Sequence, residues 1–313
     1  MSRREYNIMR KVSIILPTYN TGQYIFNMLD SIKEQTYSSI QLVIIDDNST
    51  DKTYDYIKKW IKEKQDREGL EVLLYRNEKN RGLTDTINRG YKYCNGDYIF
   101  LADHDDIWLP NKVNKQVNLL EENEDTILCF HDRQIINSND KVICVSEYNY
   151  LKYIKTTASY EDILNKRVRY SANTLCFKNT TEVKSIFPIP SNMIEHDYFI
   201  LISLSFLGKV RYIHETLIQY RVHENNISGN YSIETTNSYK RYREAVNRNM
   251  KRNKEIETND PLIVKDFIKK EFQRIIEIPS ENEDETLMKR IWDKCPYFHY
   301  IYVRLIVRRR FIR

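Results

Sequence analysis

The stretch "QLVIIDDNSTDKTYDYIKKWIKEKQ", Gln41 to Gln65, holds one complete strand-to-helix unit. Its apolar run "LVII" is too short for a helix and reads as a buried strand. "DDNSTD" follows, and Asn48 to Asp51 carry turn and helix N-cap chemistry. From Asp51 onward apolar residues recur every three to four positions, which predicts an amphipathic helix.

The same unit repeats on both sides. "VSIILP" (12–17) precedes the helical pattern "YIFNMLDSIKEQ", and "LEVLLYR" (70–76) precedes "LTDTINRGYKYC". "DYIFLAD" (97–103) precedes a helix over about 110–123, with Pro110 in its first turn. This alternation predicts an α/β fold, a Rossmann-like mostly parallel sheet flanked by helices. Ligands of such sheets collect at the carboxyl ends of the strands. There the sequence brings "TYN", "DDNSTD" and "ADHDD" to one edge.

Over 126–233 the pattern shifts to shorter strands, "TILCFHD", "KVICVS", "NTLCFK", "KVRYI" and "LIQYRVH". A helix over "EHDYFILISLSFLG" ends at Gly208. Beyond about Asn230 the chain turns polar and basic, with helices expected near 235–255, 260–276 and 284–294. No internal repeat or low-complexity linker marks a boundary.

Bulk properties narrow the class. At 313 residues, 41% hydrophobic and 30% charged, the chain can bury a large core. A net charge of +5 is too mild to indicate a nucleic-acid partner. The five cysteines are scattered, with no C-x-x-C pair, so neither a disulfide framework nor a zinc site is expected and a reducing compartment fits. No signal peptide and no spanning apolar run are expected, which places the protein in the cytoplasm.

Three constellations carry chemistry. Asp103, Asp105 and Asp106 crowd the end of the fourth strand. Crowded carboxylates raise one another's pKa unless a cation offsets the repulsion. Mg²⁺ or Mn²⁺ takes one or two carboxylates completed by substrate phosphates. The competing reading is a solvated turn with Asp106 capping the next helix. The Asp46–Asp47 pair exceeds what a cap needs, and a carboxylate there suits a nucleobase N–H or a ribose hydroxyl. Arg81 and Arg89 suit a diphosphate, or are solvated surface arginines. In the second half, Glu195 and Asp197 open an apolar helix, where they also complement its dipole. "YRVHENN" gathers Arg221 and His223, which suit an anionic leaving group beside a metal. No G-x-G-x-x-G or Walker loop is present, which argues against dehydrogenases and P-loop enzymes.

Taken in order, "VSIILPTYN", "LVIIDDNSTDKT", "NRGLTDTINRG", "GDYIFLADHDDIWLPNKV", "EHDYF" and "LIQYRVHENNISG" resemble the family 2 inverting glycosyltransferases, especially the bacterial polysaccharide branch with many rhamnosyltransferases. The likeness covers about residues 10–230. It implies a glycosyltransferase A-type catalytic domain over 1–230, with a nucleotide-binding half (about 10–125) and an acceptor half (about 126–230). It also implies a UDP- or dTDP-sugar donor, a glycan acceptor and a Mn²⁺ or Mg²⁺ ion. Position by position, Pro17, Thr18 and Asn20 lie along the nucleotide, Asp47 contacts the base, and Arg81, Arg89 and Arg221 serve the donor. Asp103 faces the ribose and Asp105 the metal, with Asp106 and His223 as further candidate ligands. Asp197 matches the catalytic base, with Glu195 as the alternative. A nucleotidyltransferase and a non-catalytic nucleotide-sugar-binding protein are the competing readings.

Residues 231–313 are expected to form a helical C-terminal extension, without a recognised motif. Its end, "YFHYIYVRLIVRRRFIR" (297–313), mixes aromatics with five arginines. It suits either an anionic membrane surface on the inner face of the cell membrane, as a lipid-linked acceptor would require, or a basic helix packed on the domain.

Overall fold

The computed structural model describes residues 10–64, 66–147, 156–158, 171–189, 196–205 and 207–223. Glu195 and the expected C-terminal extension, including 297–313, lie outside the described residues.

The first half forms as its periodicity dictates. Strands β1 (Val12–Thr18), β2 (Ile40–Asp46), β3 (Leu70–Arg76) and β4 (Tyr98–Leu101) alternate with helices α1 (Tyr24–Lys33), α2 (Thr53–Lys64) and α3 (Leu83–Tyr91). The strands pair in the order β3-β2-β1-β4, all parallel. Every residue of β1 and β2 is buried, as expected of central strands covered on both faces, whereas the edge strand β3 is mostly half-buried. Along β1 the pleat sorts side chains by face. Val12, Ile14 and Leu16 join one hydrophobic cluster with Met28, Ile32 and Trp60, and Ile15 joins the other with Ile87, Ile99 and Phe130. Helix α3 lies so close to the sheet that a Cβ on Gly90 would sit 2.7 Å from Ile15 Cγ2. Glycine there permits that approach.

The second half departs from a simple continuation. The two short strands expected over 209–213 and 217–223 are one long strand, β10 (Lys209–Val222), paired in parallel with the equally extended β6 (Thr126–Asn137). Register shifts between Ile213 and Ile218 absorb the polar "HET" interruption that reads as a break in the sequence. Strand β9 (Cys176–Lys178) runs antiparallel between β4 and β6, and Ala172–Thr174 before it forms a 3₁₀ turn rather than strand. A two-residue strand, β5 (Ile107–Trp108), pairs with β10. Helix α4 (Lys112–Glu122) starts two residues past Pro110. The short helix α5 (Thr181–Lys184) and helix α6 (His196–Ser205) complete the described elements, with β7 (Val142–Cys144) and β8 (Thr157–Ala158) at the margins. Among the described residues no helix is long and apolar enough to cross a membrane. The four described cysteines, Cys94, Cys129, Cys144 and Cys176, are free thiols.

Candidate active site

The carboxyl ends of β1, β2 and β4 meet at one edge, and the loops leaving them are tied together by their own polar side chains. Asp46 is fully buried and accepts from Ser49 N at 3.0 Å and Thr18 Oγ1 at 3.3 Å, while Arg76 Nε lies 3.2 Å away. Asn20, in the left-handed region, accepts through Oδ1 from Thr50 N at 2.8 Å and from Asp51 N at 3.3 Å. Pro17 and Thr18 are buried in β1. Tyr19 between these tightly held neighbours is 43% exposed and faces solvent at the strand end.

Asp47 carries a structural duty that its position in the sequence does not reveal. Its carboxylate accepts from Asn77 Nδ2 at 2.6 Å and from the backbone N–H groups of Arg81 and Gly82, both at 2.8 Å. Gly82, at φ 84°, is the N-cap of α3, so Asp47 pins the loop 77–82 to the end of β2. Arg89 donates to Arg76 O at 2.8 Å and to Asn77 Oδ1 at 2.5 Å. Arg89 thus braces the end of β3 rather than presenting a solvated head for a diphosphate. The exposed Arg81 side chain remains the candidate on this loop.

The acidic loop between β4 and β5 separates its three carboxylates by environment. Asp106 is fully buried, accepting from Arg221 N at 3.0 Å and from Asn173 Nδ2. Burial, then the charges of Asp105 and Asp103, push its pKa well above the ordinary value. In the structure both Asp106 oxygens are engaged within the protein, by the Arg221 backbone and by Asn173. Burial works to raise Asp105 as well. His223 Nε2, 2.8 Å from Asp105 Oδ2, together with His104 outweighs it and holds Asp105 below its usual range. Asp103 is half-buried, and its pKa is raised to about 7 by desolvation first, then by Asp105 and, more weakly, Asp197, against an opposing pull from Arg133.

That coupling brings Asp197, in the first turn of α6, into the same electrostatic field as the acidic loop. Arg221 lies deeper than its place in the sequence suggests. It is fully buried: Nε donates to Asp105 O at 2.8 Å, Nη1 donates to Asn137 O at 3.3 Å and pairs with Asp140. It is not positioned as a solvent-facing clamp for a donor.

Two further residues border the site that residue type alone does not mark. Arg133 on β6 pairs with Glu147, stacks over Tyr220 at 4.0 Å and acts on Asp103. Asn173 holds Asp106. Both come from strands and turns whose neighbours are decided by pairing across the sheet, so no local spacing signals them.

Among the described residues, no group of three His, Cys, Asp or Glu can hold a metal ion alone. The converging Asp105 oxygen and His223 nitrogen nevertheless fit a divalent ion whose remaining positions are filled by substrate oxygens.

A helix-flanked sheet with these clusters at the strand ends is the architecture of glycosyltransferase A-type enzymes. The chain belongs to glycosyl transferase family 2, whose description matches residues 13–180. It is 28% identical over 225 residues to an uncharacterized glycosyltransferase, alr2836, of Nostoc sp. strain PCC 7120, covering 69% of this chain and 66% of that protein. It is 30% identical over 147 residues to the Escherichia coli UDP-Glc:alpha-D-GlcNAc-diphosphoundecaprenol beta-1,3-glucosyltransferase WfgD, covering 46% of this chain and 55% of that one. The mannosyltransferase PcManGT of Pyrobaculum calidifontis, solved with GDP-Man and Mn²⁺, shares the fold at a TM-score of 0.54 and 17% identity, over 77% of this chain and 65% of that one. The chain therefore spans about two thirds or less of the lengths of these proteins.

Proposed function

We propose that this protein is a divalent-cation-dependent, inverting glycosyltransferase that moves a hexosyl or deoxyhexosyl group from a UDP- or dTDP-sugar to a lipid-linked glycan acceptor in bacterial surface polysaccharide synthesis. The observation that carries this reading is the approach of Asp105 and His223 to 2.8 Å at the mouth of the β1–β2–β4 edge, with Asp103 and Asp197 in the same field. WfgD's UDP-glucose donor and diphosphoundecaprenol acceptor, and the Mn²⁺ of PcManGT, support the donor, acceptor and ion chosen.

In this mechanism the exposed Tyr19 offers its ring face to the nucleobase, and Arg81 reaches the diphosphate from the loop that Asp47 fixes. Asp105 and His223 would hold the ion, which when bound would neutralise charge on the departing nucleoside diphosphate. Asp103 turns toward the ribose. Asp197 takes the proton of the acceptor hydroxyl as it attacks the anomeric carbon from the face opposite the leaving group. A single displacement through an oxocarbenium-like state inverts the configuration. Two carboxylates alone would equally serve hydrolysis. The diphosphate-handling set beside them favours transfer.

Residues 1–230 are proposed as the catalytic domain and 231–313 as an extension whose basic, aromatic end rests on the inner membrane face. Incubation with labelled UDP-, dTDP- and GDP-sugars and a diphospholipid-linked acceptor, with Mn²⁺ or with EDTA, tests the reading. Metal-dependent nucleoside diphosphate release with acceptor labelling supports it. Pyrophosphate formation from sugar phosphate and NTP would replace it with nucleotidyl transfer, and binding without turnover would replace it with a non-catalytic role.

A further inference from the structure

The end of β10 does more than deliver His223. The ring of Tyr24 lies against both Arg221 and His223: its centroid is 4.5 Å from Arg221 Cζ and 5.3 Å from the His223 ring, stacked at 28°. Beneath that ring Arg221 ties two separate pieces of chain to β10, the acidic loop and the β6–β7 hairpin. Its N–H meets Asp106, its Nε meets the carbonyl of Asp105, and its Nη1 reaches the β6–β7 hairpin at Asn137 O and Asp140. The hairpin is itself closed tightly, with Asn137 Oδ1 accepting from Asn139 N and Lys141 N at 3.0 Å and Asp140 at φ 61°.

We propose that Arg221 is a positioning residue that aims the Asp105 carboxylate at the cation by locking the acidic loop and the 137–141 hairpin onto β10. The inference rests on the metal role proposed above for Asp105. A guanidinium suits the task because its planar fork donates in two directions at once and stays charged when buried. Lysine offers one point charge and cannot reach the Asp105 carbonyl and the hairpin together. Partners behind a metal ligand typically govern metal affinity by about 10–100-fold.

The test compares wild type, Arg221→Lys and Asp140→Asn in Mn²⁺ titrations read by the EPR signal of free Mn²⁺, with and without UDP, at a temperature where circular dichroism shows each protein folded. Asp140 is half exposed, and asparagine tolerates its left-handed backbone, so that variant folds. The expected result for Arg221→Lys is a Mn²⁺ dissociation constant raised about 10–100-fold, with turnover recovered at higher Mn²⁺. Asp140→Asn moves the same way by less. A folded Arg221→Lys with unchanged Mn²⁺ affinity overturns the proposal, and loss of UDP affinity alone would assign Arg221 to the diphosphate itself. If Arg221→Lys does not fold, Asp140→Asn decides, and unchanged Mn²⁺ affinity there overturns the proposal. A wild type that takes up no Mn²⁺ in either condition removes the metal reading and this inference together.

Discussion

Replacing Asp47 with alanine separates two duties that the sequence cannot distinguish. If Asp47 acts chiefly on the nucleobase, Asp47→Ala costs nucleotide affinity and leaves stability alone. The structure predicts a large stability cost as well. The substitution removes the acceptor for Asn77 Nδ2, which is almost fully buried, and for the backbone N–H groups of Arg81 and Gly82. A buried amide that loses a charged acceptor costs about 2 kcal/mol. Residues 81 and 82 are exposed, so water can replace the carboxylate there at about 0.5 kcal/mol each. The total of about 3 kcal/mol corresponds to a fall in Tm of about 6–12 °C for a domain of this size. Thermal unfolding followed by circular dichroism, beside UDP binding by calorimetry, reads both effects. A melt within about 2 °C of wild type, whatever happens to UDP, would refute the anchoring role and hand the residue to the nucleobase.

Asp105→Ala is expected to abolish Mn²⁺-dependent donor binding, measured by calorimetry; unchanged affinity with Mn²⁺ present would move the ion elsewhere. Asp197→Asn should bind donor normally and lose transfer by about 10²–10⁴-fold, the range of general base catalysis, and full activity would pass the base role to Glu195. Burial lowers the pKa of Lys112 to about 7, with Gln116 Oε1 at 2.7 Å and His131 Nε2 at 2.8 Å from its Nζ. Below pH 7 folded and unfolded chains both carry its proton, whereas between about 7 and 10.5 only the unfolded chain does, so stability rises with pH across that window. Lys112→Met removes that contribution, so the stability difference between wild type and variant should change by up to about 1.4 kcal/mol per pH unit above 7. Paired melts at pH 6, 7, 8 and 9 check it, and a constant difference would contradict the buried neutral amine.

The sequence determined the first half of the fold almost unaided. Runs such as "LVII" and "VSIILP" declare buried strands because a parallel strand covered on both faces has no polar side to alternate with, and the intervening helices show their apolar stripes directly. The same local rules placed Asp47 and the three acids of "ADHDD" at the ligand-binding edge, since strand ends and loops follow from element boundaries. Local rules could not separate the acids from one another. Asp105 and Asp106 are neighbours of identical chemistry, yet one faces His223 and the other is enclosed by Asn173 and the Arg221 backbone, residues 67 and 115 positions away. Arg221 reads in "YRVH" as a cation for an anionic leaving group, yet it is buried in the fold, where β10 pairs with both β5 and β6. The joining of two apparent strands into β10 was hidden for the same reason. Sheet pairing in the second half satisfies backbone groups across long stretches of chain, and that long-range hydrogen bonding, which no local window contains, decided which carboxylate meets His223 and which is enclosed.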